Sequence, residues 1–70
     1  MKKFKYIVED EDNGKYLGKK YYIGERETFF SEAYRFSAFE LKLARSVLLK
    51  PTERYRVYQV EEDSEDISSL

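Results

Sequence analysis

Residues 29–49, "FFSEAYRFSAFELKLARSVLL", hold five of the twelve aromatic residues of a 70-residue chain, and their reading decides the fold. Ser37 is followed three positions later by Glu40, the spacing of a capping box, in which serine and glutamate satisfy each other's backbone N–H groups. Phe36 before the cap and Leu41 after it have the spacing of a hydrophobic staple. A helix is therefore predicted from Ser37 to about Leu49, where Pro51 disfavours helical geometry at Lys50. Lys50 would also sit well against the negative helix end. At the helical period, Phe39, Leu41, Leu43, Ala44, Val47 and Leu48 sweep an arc of about 200°, broken only by Glu40, where a helix on a sheet needs roughly 100°. Lys42, Arg45 and Ser46 hold the opposite side. The surplus apolar width is the first clue to function.

Strands flank this helix on both sides. "KFKYIVE", residues 3–9, alternates with a period of two and puts Phe4, Tyr6 and Val8 on one face and Lys3, Lys5, Ile7 and Glu9 on the other. Asn13-Gly14 is a hairpin signal of the type I′ kind, because both residues tolerate positive φ. A second strand is expected from about Tyr16 to Ile23, with Leu17, Tyr21 and Ile23 on one face and Tyr16, Lys20 and Tyr22 on the other; Gly18 would mark a bulge or close approach. The connection "GERETFFSEA" breaks periodicity, with a helical turn expected at Ser31 to Ala33 and a short extended piece at Tyr34 to Phe36. "RYRVYQVEE" from Arg54 is a last strand with two competing parities, Tyr55 and Val57 against Tyr58 and Val60.

A right-handed crossover through the helix would carry this last strand to the far side of the first one. The expected architecture is α+β of ββαβ type: a three-stranded, with room for a fourth, antiparallel sheet in order 2-1-3, one helix on one face, and the first strand central. Residues 1–62 form the single domain in this reading, and the acidic, serine-rich end from Asp63 is expected to be disordered.

Composition narrows the function classes. A chain this short buries only about 60% of the surface its unfolded form exposes, so its stability margin is thin. With no Cys and no His, neither a disulfide frame nor a thiolate or imidazole zinc site can form, and the common nucleophile and base pairs of enzymes are excluded. The three glycines are scattered at Gly14, Gly18 and Gly24 and make no phosphate-binding loop. Glu9, Glu11 and Asn13-Gly14 match the first positions of a calcium loop, but Lys20 stands where its bidentate carboxylate is required. The expectation is a non-enzyme with no cofactor and no metal. Thirteen basic against fourteen acidic residues exclude the global basic excess of a duplex-DNA binder. No apolar stretch approaches the roughly 18 residues of a membrane span, and the first residues lack the apolar core of a signal peptide, so a cytoplasmic location is expected.

Two surfaces could then carry function. The surplus helix arc is either covered by Phe29 and Phe30 from the preceding connection or exposed as an interface for a protein partner or a second copy of the chain. Phe39, Leu43 and Val47, with Phe29 and Phe30, are the candidate partner-binding residues. Alternatively, Tyr16, Tyr22, Lys3, Lys5 and Lys20 on the open sheet face would hold single-stranded nucleic acid, bases stacking on rings and phosphates meeting ammonium groups. A third reading makes the acidic runs, Glu9 to Asp12 and the acidic end, mimics of nucleic-acid phosphates.

"KYIVED", "NGKYLG" and "EAYRFSAFELKLA" together resemble a loose group of small proteins encoded by phages and prophages of Gram-positive bacteria. In those, an opening strand and an Asn-Gly or Asp-Gly hairpin precede a lead-in to a helix matched here by Ala33, Arg35, Phe36 and Ser37, and a valine-rich strand closes the fold. The resemblance spans roughly residues 4 to 61 and implies a small accessory protein that acts by binding a protein partner. Some phage proteins of similar size and acidity inhibit host defence, anti-CRISPR proteins among them.

Overall fold

The computed structural model describes residues 3–48 and 54–62. Four strands and one helix alternate as β1 (Lys3–Asp10), β2 (Lys15–Leu17), β3 (Arg26–Glu27), α1 (Ala38–Leu48) and β4 (Tyr55–Glu62), with 3-10 turns at Tyr21–Ile23 and Phe30–Glu32. The sheet is antiparallel throughout, in order β3-β2-β1-β4. The α+β class and the central first strand hold as expected, with β2 and β4 flanking β1. The difference is a fourth strand, β3, added outside β2, so the order is not the simple 2-1-3 of three strands.

The hairpin between β1 and β2 also differs from the Asn-Gly expectation. Asp10 pairs with Lys15, which leaves a four-residue loop, and only Gly14 takes a positive φ, +72°. The Asp10 carbonyl accepts from both Asn13 N–H (3.3 Å) and Gly14 N–H (2.8 Å), while Asp10 and Asn13 side chains cap Asp12 and Lys15 N–H groups. Asn13 thus serves as a side-chain acceptor in an Asx-type turn and needs no left-handed backbone of its own.

β2 ends at Leu17, well short of the strand expected to reach Ile23. At Gly18 the chain turns back through the 3-10 turn and returns as β3, with Gly18 N–H donating to the Glu25 carbonyl. Gly18 is a site of close approach, since a Cβ there would lie 2.7 Å from Glu25 Oε2. Ile23, expected to face inward, is exposed.

The register of β1 with β4 is unbroken over eight pairs, from Lys3 with Glu62 to Asp10 with Tyr55. Because directly opposed residues share a face, it resolves the parity of the last strand. Tyr55 and Val57 join Tyr6 and Val8 on the helix side, and Tyr58 and Val60 join Lys5 and Ile7 on the other. The helix-side core is Val8, Leu17, Phe36 and Ala44, with Leu41, Tyr6, Tyr21, Tyr34, Tyr55 and Val57 packed around it. Phe36 is its keystone: it exchanges both backbone hydrogen bonds with Tyr6 at 2.8 Å and stacks edge-on against Tyr21 and Tyr34.

Ile7 and Val8 are consecutive and point to opposite faces, yet both are buried, so both faces of β1 are covered. The expectation that Lys50 and Pro51 end the helix, and that disorder begins at Asp63, concerns positions outside the described residues.

Candidate functional site

The helix begins as its sequence dictates. Glu40 N–H donates to Ser37 Oγ at 3.1 Å and Ser37 N–H donates to Glu40 Oε1 at 2.9 Å, a closed capping box. Glu40 also accepts from the Tyr34 hydroxyl at 2.8 Å. The Ser37 N–H and this hydroxyl hold the Glu40 carboxyl below its ordinary value, while the same bond holds the Tyr34 phenol above its own. One side chain thus ties the helix start to the chain that leads into it.

Around α1 the apolar arc divides in two. Leu41 and the fully buried Ala44 face the sheet, beside Val8, Tyr55 and Val57. Phe39, Leu43 and Val47 occupy the other flank and stand 69%, 51% and 54% exposed. They lie at i, i+4 and i+8, one above another, and form a continuous stripe. With Leu41 and Ala44 on the sheet side, these three lie about 60° to 140° beyond Ala44 round the helix, turned away from β1, on which α1 chiefly packs.

What stands beside that flank is a cleft of about 360 Å³ between α1 and the 3-10 turn, lined by Leu43, Tyr21, Tyr22, Tyr34 and Glu40, with Lys19 and Lys20 on its wall. Leu43 belongs to both the stripe and the cleft, so the two form one surface. Tyr22, expected on the open sheet face, stands exposed at this cleft, a location set by the turn at Gly18 and not readable from strand parity.

Phe29 and Phe30 do not cover the helix, contrary to the first of the two outcomes expected for them. Phe30 packs edge-on against Tyr16 of β2 (5.3 Å between ring centroids) and Tyr58 of β4 (5.8 Å). Those rings flank β1 on the face away from α1, so Phe30 bridges over β1 at Ile7. Phe29 beside it is 62% exposed. Phe30 is therefore the cover of the second sheet face, and the partner-binding candidates divide into an exposed stripe on the helix and a structural ring elsewhere.

The nucleic-acid candidates are dispersed by the same features. Lys3, Lys5 and Tyr16 fall on the second sheet face, where Tyr16 is capped by Phe30 and Lys5 lies 3.8 Å from Glu62. Lys20 and Tyr22 line the cleft beside α1. The five do not share a surface.

The acidic run is internally matched. Asp10 pairs with Arg26 (3.6 Å), Glu11 with Arg56 (3.0 Å) and Asp12 with Arg54 (3.9 Å), and Glu9 accepts from the Tyr58 hydroxyl at 2.6 Å. Its first cause being the Glu9 bond, the Tyr58 phenol is held above its usual value. At the base of β3, Glu27 is held above the ordinary carboxylate value, first by its hydrogen bond with Glu25, then by burial and by Glu32. Among the described residues no group of three or more carboxylates is placed to hold a metal ion, and no helix is long and apolar enough to cross a membrane.

The fold and this surface define a small α+β protein with an uncovered apolar helix flank. No family model, curated protein or solved structure matches the chain.

Proposed function

We propose that this chain acts by binding a protein partner through the flank of α1 formed by Phe39, Leu43 and Val47, and not by catalysis. The carrying observation is the exposure of these three side chains on a helix whose other flank supplies the core. Three large apolar residues at helical spacing, continuous with an aromatic-lined cleft, are the kind of contiguous patch that marks an interface. Aromatic and aliphatic anchors beside a pocket are also the usual centre of binding energy in a protein interface. Lys19, Lys20 and Lys42 border the patch, which favours a partner segment with apolar anchors and acidic flanks. The phage and prophage resemblance accords with an accessory role of this kind in the cytoplasm, inhibition of a host protein included.

The test is parallel capture from a host lysate with the wild-type chain, a Phe39→Asp/Leu43→Asp variant and a Lys3→Glu/Lys5→Glu variant as baits. A partner retained by the wild type and by the lysine variant but lost with the helix variant supports the reading. A partner retained equally by all three overturns it. Oligonucleotide binding at low salt that falls with Lys3→Glu/Lys5→Glu would instead assign function to the second sheet face.

A further inference from the structure

The two edges of the sheet are unlike. β3 is an edge of only two residues, whereas β4 is an edge of eight, hydrogen-bonded to β1 alone among the described strands. Sheet edges are normally blunted by short length, charged side chains, proline or a bulge. β3 is blunted by its length. β4 contains no Pro, its pairing with β1 runs without interruption, and its charges, Arg56 against Glu61 and Glu62, are of both signs, which a second copy can match.

The direction of its backbone groups follows from the register. Tyr6 spends both its N–H and its C=O on Phe36, on the side of β1 away from β4. Its partner Gln59 is therefore in a non-hydrogen-bonded pair, and its own N–H and C=O point away from β1, on the side where no described strand pairs. Val57, two residues away, directs its groups the same way. Charge is graded along the strand: Arg54 and Arg56 stand at its start, Glu61 and Glu62 at its end.

We propose that β4 is a self-pairing edge, at which a second copy of this chain adds antiparallel about Gln59 and doubles the sheet. A two-fold axis perpendicular to the sheet pairs Gln59 with its own copy. Going outward on the face away from α1, Tyr58 then opposes Val60 and Arg56 opposes Glu62, each twice. These are an aromatic against a β-branched residue and a cation against an anion, the favourable kinds of cross-strand pair. A shift to an axis at Tyr58 would set Arg56 against Val60, and a parallel alignment would set like charges together. Arg56 already meets Glu11 and Glu62 already meets Lys5, so the new pairs extend an existing network across the junction. The helix flank plays no part in this contact, so the self-pairing stands or falls independently of the partner-binding reading.

Sedimentation equilibrium over about 10 µM to about 1 mM tests it, weak association being expected of an edge contact of small area. The wild type should pass from a mass of 8.4 kDa towards twice that value. Gln59→Pro removes an outward donor and no bond to β1, so it should keep the circular dichroism spectrum and stay monomeric. Since the chain has no cysteine, Gln59→Cys provides a second measurement that does not depend on the proline being tolerated. The two sulfur-bearing residues would face each other at a Cα separation of about 5.5 Å, within disulfide range. They should cross-link on mild oxidation many-fold faster than Ser46→Cys on the exposed side of α1. A monomer at every concentration, with Gln59→Cys and Ser46→Cys oxidising at the same rate, overturns the proposal. So does a dimer that survives Gln59→Pro and is lost with Leu43→Asp, which would place self-association on the helix flank.

Discussion

The two flanks of α1 are equally apolar in sequence and opposite in fate. Leu41 and Ala44 are packed on the sheet, while Phe39, Leu43 and Val47, only 60° to 140° further round by the helical period, are exposed to solvent. What separates them is direction. One flank is turned onto β1 and β4, eight residues each; the other is turned away from the sheet, and no described segment covers it. Exposure of an apolar side chain is thus set here by which side of the helix meets the sheet, and not by the hydrophobicity of the residue.

Truncation across these flanks should give the sharpest contrast. Phe36→Ala removes the keystone of the packed side and should cost about 3–5 kcal/mol, most of the stability expected of a domain this size at about 5 kcal/mol. Its near-ultraviolet circular dichroism should collapse at 25 °C. Phe39→Ala should change the unfolding free energy measured in urea by no more than about 0.5 kcal/mol; a loss of several kcal/mol would mean that the exposed flank is packed in solution. Between these extremes lies Phe30→Ala. It breaks two edge-to-face contacts, each worth about 0.5–1.5 kcal/mol, and should lower the urea midpoint with an unchanged slope. No effect would mean that the second sheet face does not depend on its aromatic cover. Ser37→Ala opens the capping box and should cost about 1 kcal/mol, a fall in melting temperature of about 4–8 °C.

The smallest effect is one of pH, and it has opposite signs at two glutamates. Glu40 has a lowered folded value, so its contribution is present above the ordinary value of 4.5 and is lost as pH falls through the folded value. Glu27 has a raised folded value, so its contribution is present below 4.5 and is lost as pH rises through the folded value. Between pH 3 and 7, Glu40→Gln should therefore flatten the rise in stability with pH, and Glu27→Gln should steepen it. The same slope for both variants would contradict the arrangement of Glu25, Glu27 and Glu32.

Much of this was legible in the residues, for local reasons. The capping box needs only Ser37 and Glu40 three apart, and both of its hydrogen bonds form. The period of two in β1 needs only alternation, and its central place needs only a connection long enough to carry the chain past it to β4. Phe30 was legible as an aromatic of consequence but not as the cover of the opposite face. Its bridge between Tyr16 and Tyr58 joins rings on two strands flanking a third, and nothing in a linear pattern brings those three together. The hairpin at Asn13-Gly14 was legible but its loop length was not, because the spacing permits either a two-residue or a four-residue loop, and pairing of Asp10 with Lys15 selects the longer.

By itself, then, the sequence determined β1, the helix and β4, the excess of apolar width on the helix, and the want of the residue types that catalysis and zinc binding use most. Those depend on composition and on contacts within a turn or two. Only the tertiary structure decided which part of the width stays bare, that Phe30 guards the other face, and that β4 ends the sheet among the described strands. Each of these turns on where a strand stops or what lies beside it, and that is settled by packing between segments distant along the chain.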